Sequence, residues 1–184
     1  MEYGLTSKLQ KYLRVIARPA TAMLDRSFCW DIDYIKSGKV NMIAAVNTNS
    51  RLCAVAIGMK KQELKVPEKF IEDMIRQLLA SEGYLKSEIG RYFALGGKQV
   101  FTKTHGRKAV SCMNRAIADM FARSSYYDEG ALFQKDWSMG VNGDVVHAAG
   151  LNDKGVPREF FLSDMRRLGL LEDGHMFTYM GKLF

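Results

Sequence analysis

The stretch FCWDIDYIKSGKVNMIAAVNTNSRLCAVAIG, residues 28–58, decides the fold. It holds three short apolar segments, FCWDIDYI, VNMIAAV and RLCAVAIG, separated by turn chemistry at Ser37-Gly38-Lys39 and Asn47-Thr48-Asn49-Ser50. Segments of this length bounded by Gly, Asn and Ser predict an antiparallel meander. The second and third are almost continuously apolar at their centres, as in strands buried on at least part of both faces. Helices are therefore expected to cover the sheet.

Upstream, Leu9, Leu13 and Ile16 recur at helical spacing, with Thr6 or Ser7 able to cap the free amides. Lys8, Lys11, Arg14 and Arg18 fall on the other side, Pro19 stops the helix, and residues 20–27 read as a loop. Downstream, Pro67 opens the best helix of the chain, with Glu68, Glu72 and Asp73 near its positive end. Phe70, Ile71, Met74, Ile75, Leu78 and Leu79 form its stripe, and Gly83 ends it. A shorter helix over about 86–94, a break at Gly96-Gly97, and a strand over KQVFTKT (98–104) follow. His105-Gly106 then leads into a helix over 107–121 with Val110, Met113, Ile117 and Met120/Phe121 inward. At about 100° per residue, Lys108, Ser111, Arg115 and Asp119 project opposite that stripe.

Beyond Arg123 the texture changes to SSYYDEG and a run dotted with Gly140, Gly143, Gly150 and Gly155. A boundary at 122–130 is expected, dividing an α+β core domain over 1–123 from a smaller α+β extension over 124–184. Within the extension, a helix from Pro157 to Leu168 turns Phe160, Phe161, Met165 and Leu168 inward, and HMFTYMGKLF (175–184) supplies a final strand. The fold class is thus α+β, an antiparallel β-meander flanked by helices.

The net charge of +7 is unevenly placed. Residues 1–60 and 97–123 each carry +5, residues 61–96 are neutral, and residues 124–184 carry −3. Two basic blocks bracketing a neutral one point to nucleic acid or an acidic protein surface, or else to a solvated face. Cys29, Cys53 and Cys112 are odd in number, far apart and set in apolar runs, so they read as reduced core cysteines. The start MEYGLTSKLQ lacks the pattern of a signal peptide, and no apolar run approaches the roughly 20 residues of a membrane span. A cytosol is the expected compartment.

Catalytic alphabets fail on spacing. His105, His147 and His175 stand far apart with no CxxC or HxxxH, so no metal and no cofactor are expected. No G-x-S-x-G occurs, and Cys112 sits where a thiolate is disfavoured. Asp31 and Asp33 with Glu63-Leu-Lys65 fit the alphabet of a metal nuclease, but Glu63 lies after the meander in a segment that reads as a turn or short helix. Gly140-Val-Asn-Gly143 and Gly96-Gly97 lack phosphate-loop spacing. The remaining signal is cations interleaved with aromatics and hydroxyls: Lys98, Phe101, Lys103, His105, Arg107, Lys108 and Arg115. His105 is expected at a strand-to-helix turn in solvent, within reach of a phosphate.

Three runs are familiar together: TSKLQKYL (6–13), Phe28-Cys29-Trp30 through NMIAAVNTNSRLCAVAIGMK, and VFTKTHGRKAVSCMNRA (100–116). Over residues 4–121 they resemble an uncharacterised bacterial and phage domain of Firmicutes that often precedes plasmid ORF-3-like regions. That domain's pattern is a start like TKKLQ, a Trp before the meander, and an FTKT-x-x-R-S/A-V-x-x-M-N signature. A stand-alone copy of this length is also similar to phage-encoded type II anti-CRISPR proteins. This resemblance implies a non-enzymatic interaction protein that binds Cas9 or its guide RNA and DNA and blocks cleavage. Its first contact surface is expected at Lys98, Lys103, His105, Arg107, Lys108 and Arg115, and its second at Lys8, Lys11, Arg14 and Arg18. A nucleic-acid-binding module of phage or plasmid maintenance is the alternative, a metal nuclease a third. The oligomeric state stays open, a homodimer included.

Overall fold

The computed structural model describes residues 1–22, 25–37, 40–60, 62–122, 128–175 and 177. The meander forms as expected, from β2 (Cys29–Ser37), β3 (Val40–Asn47) and β4 (Cys53–Ile57) in antiparallel register. Gly38 and Lys39 of the first turn lie outside the described residues. The second turn is tied by Asn47, whose Oδ1 accepts from the amides of Asn49 and Ser50 while its Nδ2 donates to the carbonyls of Ser27 and Cys29.

Two further strands make the sheet mixed. β1 (Glu2–Leu5) lies between β2 and β5 (Val100–Lys103) and runs parallel to both, giving the order β4-β3-β2-β1-β5. α1 (Ser7–Leu13) follows β1, with the Thr6 hydroxyl accepting from the Leu9 amide as its cap. The helix stops sooner than the spacing predicts. Arg14 enters the left-handed region at φ 57°, which throws Ile16 fully into solvent instead of onto the apolar stripe.

Both faces of the sheet are covered. On one, Tyr3, Leu5, Trp30, Ile32, Ile43 and Ala54 pack against α2 (Pro67–Ser81), α3 (Lys86–Gly96) and α6 (Pro157–Arg167). Trp30, the largest fully buried side chain, donates its indole N–H to the Tyr92 hydroxyl, which donates to the Ser27 carbonyl. On the other face, Met42, Val46, Cys53, Val55 and Ile57 meet α4 (Arg107–Phe121) and α5 (Lys135–Val141). The inward stripe of α4 is Ala109, Cys112, Met113, Ala116 and Met120. Val110 and Ile117 sit at its margin, and Phe121 is exposed, because the small residues let the helix approach the sheet closely. All three cysteines are buried and outside any disulfide.

The expected boundary at 122–130 falls between α4 and α5, partly outside the described residues. Phe161, Leu162 and Met165 of α6 share one core with β1 and β2, and Trp137 and Val141 of α5 share the other with β3 and β4. A two-stranded ribbon, β6 (Val146–His147) with β7 (Lys154–Gly155), completes this part. The final strand expected over 175–184 lies outside the described residues except for His175 and Phe177. Among the described residues no helix is long and apolar enough to cross a membrane.

α5 satisfies the outer backbone of β4. Asn142 accepts from the Cys53 amide at 2.8 Å and donates to its carbonyl at 2.9 Å, while the Ser138 hydroxyl accepts from the Val55 amide. Asn142 also donates to the buried Glu82, whose second oxygen lies 3.4 Å from Arg158 Nε. Burial lifts the Glu82 carboxyl to about 7, with Arg158 and Asn142 opposing the rise.

Two outcomes follow from this polar junction. Asn142→Ala strands a buried donor and acceptor on β4 and is expected to cost about 2–4 kcal/mol in urea unfolding. Glu82 binds its proton more tightly folded than unfolded, so its contribution is full below about pH 4.5 and is lost as pH rises through 7. Glu82→Gln is therefore expected to match the parent near pH 5 and to exceed it in melting temperature at pH 9, by on the order of 3 kcal/mol in stability.

Candidate functional site

The register of β1 sets the site. Glu2 stands opposite Cys29 on β2 and Val100 on β5, and Gly4 opposite Asp31 and Thr102, so side chains at these positions share the α4 face. Tyr3 and Leu5, alternating with them, point into the opposite core. A central strand thus carries a carboxylate and a bare backbone where apolar side chains would normally sit.

His105 closes over this face. It follows β5 directly, and Gly106, at φ 100°, turns the chain into α4. The His105 amide donates to both Asp31 oxygens at 3.1 and 3.3 Å. Its ring Nδ1 lies 2.6 Å from Asp31 Oδ1, and Nε2 lies 3.1 Å from Glu2 Oε2. Only 6 % of the imidazole side chain is exposed, against 2 % for Glu2 and 1 % for Asp31. Burial opposes charge on the ring, but hydrogen bonding to Asp31 and Cys29 outweighs it and lifts the imidazole to about 10. Burial likewise resists ionisation of Glu2, yet hydrogen bonds from Thr21 and His105 hold that carboxyl below its usual range. At neutral pH an imidazolium is clamped between two carboxylates.

Segment 18–22 lies along the outer side of this cluster. The Thr21 amide donates to both Glu2 oxygens, and Arg18 stands 4.0 Å from Glu2. Arg18 also pairs through its backbone with β5, donating to the Phe101 carbonyl and accepting from the Lys103 amide. Thr21 borders two cavities. One, of about 270 Å³, is lined by Arg26, Cys29, Thr104, His105 and Gly106. The other, of about 600 Å³, is lined by Glu2, Arg18, Lys98 and Val100.

The predicted contact residues separate into two sets. Lys98, Lys103, Arg107, Lys108 and Arg115 are exposed, and none pairs with a carboxylate among the described residues. Arg18 joins them by pairing with β5 and sharing a cavity with Lys98. Lys103 shares a sheet face with Phe101, whereas Arg107, Lys108 and Arg115 belong to α4 on the other face, so the cations wrap the β5 edge rather than tile one plane. Lys8, Lys11 and Arg14 stay on or just past α1, Lys8 resting 5.8 Å over the Tyr34 ring.

His105 departs from its expected place. Its ring is not in solvent beside the cations but buried, with both nitrogens occupied by carboxylates, because Gly4 leaves room for it above β1. Asp31 serves this histidine, and Asp33 accepts from the Thr6 hydroxyl at 2.6 Å. Glu63 lines a groove with Val66, Phe70 and Leu132, and no group of potential metal ligands among the described residues includes it. The one such group found there is Glu2, Cys29 and His105. Cys29 reads as core in the sequence, and Glu2 draws no notice. The signal that could have found them is alternation, since Glu2-Tyr3-Gly4-Leu5 and Trp30-Asp31-Ile32 are strand patterns whose polar positions are too apolar-flanked for a surface.

A Cβ at Gly4 would lie 2.1 Å from Asp31 Oδ1 and 2.8 Å from His105 Nδ1. Gly4→Ala is therefore expected to drive the pair apart and to cost about 2–4 kcal/mol. Chemical denaturation measures the loss, and the His105 ring resonances should shift with it.

With the fold and this cluster described, the chain can be placed among known proteins. No curated protein and no solved structure matches it. A family model described as Domain of unknown function (DUF6933) matches residues 3–160, from the first strand through the start of α6 and including every residue of the imidazolium cluster except Glu2. The chain belongs to that family.

Proposed function

We propose that this protein is a non-enzymatic interaction protein that grips the phosphate backbone of a nucleic acid, free or carried within a nucleoprotein such as a guide-loaded CRISPR nuclease. The observation that carries this reading is the band of exposed cations along the β5 edge and the start of α4, namely Lys98, Lys103, Arg107, Lys108 and Arg115 with Arg18 beside them. Among the described residues none of Lys98, Lys103, Arg107, Lys108 and Arg115 pairs with a carboxylate, which leaves them available to an outside polyanion, while Arg18 stands 4.0 Å from Glu2. Their setting is also rigid. The clamp of His105 on Asp31 and Glu2 fixes the turn from which Arg107 and Lys108 project, and a pre-ordered cation loses less freedom on binding than one on a loose loop.

Backbone grip of this kind carries little sequence preference and falls with salt. In a salt series on single- and double-stranded oligonucleotides, log K is expected to fall linearly with log salt. Lys103→Ala and Arg107→Ala should each flatten the slope by about one unit. Affinity indifferent to salt would refute the reading. For the nucleoprotein form, titration into a guide-loaded Cas9 cleavage assay is expected to inhibit cutting with saturation near equimolar protein.

A further inference from the structure

We infer that Glu2, Cys29 and His105 form a three-ligand site for a zinc-class divalent ion, with Asp31 orienting the imidazole and the cavity beside Cys29 supplying a fourth position.

The donor set is the first ground. A carboxylate oxygen, a thiolate sulfur and an imidazole nitrogen all lie within 4.8 Å of one another. Ions of this class are held at about 2.0–2.3 Å from such atoms, so a tetrahedral site needs its donors about 3.3–3.6 Å apart. Nε2 and Glu2 Oε2 are already 3.1 Å apart. The remaining separations, within 4.8 Å, must close by up to about 1 Å as the ion binds. Mixed sulfur, nitrogen and oxygen donors favour zinc over magnesium or calcium.

The surroundings are the second. Nδ1 of His105 is held at 2.6 Å by Asp31, the carboxylate–histidine arrangement that fixes the tautomer and aims Nε2 at a metal. Glu2 and Cys29 face each other on neighbouring strands, which leaves their spacing to the sheet rather than to a loop. Thr102, one strand over from Gly4 on the same face, keeps a buried hydroxyl with no hydrogen-bond partner among the described residues, so this face holds an unsatisfied polar group beside the cluster's strand. Cys53 and Cys112 belong to no group of potential metal ligands among the described residues.

Cobalt(II) is the probe. Titrated into the reduced full-length chain, it is expected to bind one ion per chain with visible bands of tetrahedral cobalt and a near-ultraviolet sulfur-to-cobalt charge-transfer band, and to be displaced by zinc but not magnesium. Cys29→Ser should abolish the charge-transfer band, while Cys53→Ser and Cys112→Ser keep it. Asp31→Asn should keep the spectrum and weaken affinity by about 10–100-fold. Absence of these bands in the wild-type chain, or a charge-transfer band that survives Cys29→Ser, overturns the site. Because the wild-type spectrum is itself decisive, a variant that fails to fold does not blur the result. The outcome is independent of nucleic-acid binding, which is read by salt dependence.

Discussion

Two carboxylates buried in the middle of a sheet must be met by positive charge, and the fold is organised around meeting them. Glu2 and Asp31 sit on adjacent parallel strands at almost zero exposure. Left alone they would repel and carry a desolvation cost of several kcal/mol each. His105 supplies the cation, and three other features follow from it. Gly4 has no side chain because the imidazole lies above it, segment 18–22 folds down so that Thr21 can reach Glu2, and α4 begins where it does because the His105 amide is tied to Asp31. The glycine, the loop and the helix start are therefore one solution to one electrostatic problem.

The meander and the long helices were legible because their cores are redundant. Residues 28–58 hold three apolar segments bounded by turn residues, and Pro67 to Ser81 keeps a helical stripe over four turns, so a single odd residue changes little. β1 was illegible for the opposite reason. Four residues carry it, two of them a glutamate and a glycine, and its strand character comes from pairing with β2 and β5 rather than from local preference. The early end of α1 was hidden in the same way. Val15 donates to the Gln10 carbonyl in place of a further helical turn, and segment 18–22 then leaves for β5, a destination no local pattern announces.

The site was half legible. Charge counting found the cations of 98–115, because exposed charge survives translation from sequence to surface. It did not find the buried cluster, whose members are 103 residues apart at their widest and whose chemistry depends on register. Asp31 drew notice for its residue type and proved to serve His105 rather than Asp33 or Glu63. Polar residues forced into central strands were the readable trace, since a sequence that breaks its own strand pattern usually does so at a site.

The two outer strands share a property with a consequence for how the protein meets others. β4 has its outward amides at Cys53, Val55 and Ile57 occupied by Asn142, Ser138 and the Leu132 carbonyl and its Val55 carbonyl occupied by the Gln134 amide, and β5 has its carbonyl at Phe101 and amide at Lys103 occupied by Arg18. Neither margin offers a free ladder to an incoming extended chain, so growth of the sheet by strand addition, whether by a peptide ligand, a second copy or an aggregate, is closed off. Any contact with another molecule is left to side chains projected from a finished surface. The band of exposed cations is thereby carried on a sheet whose two outer strands are already occupied.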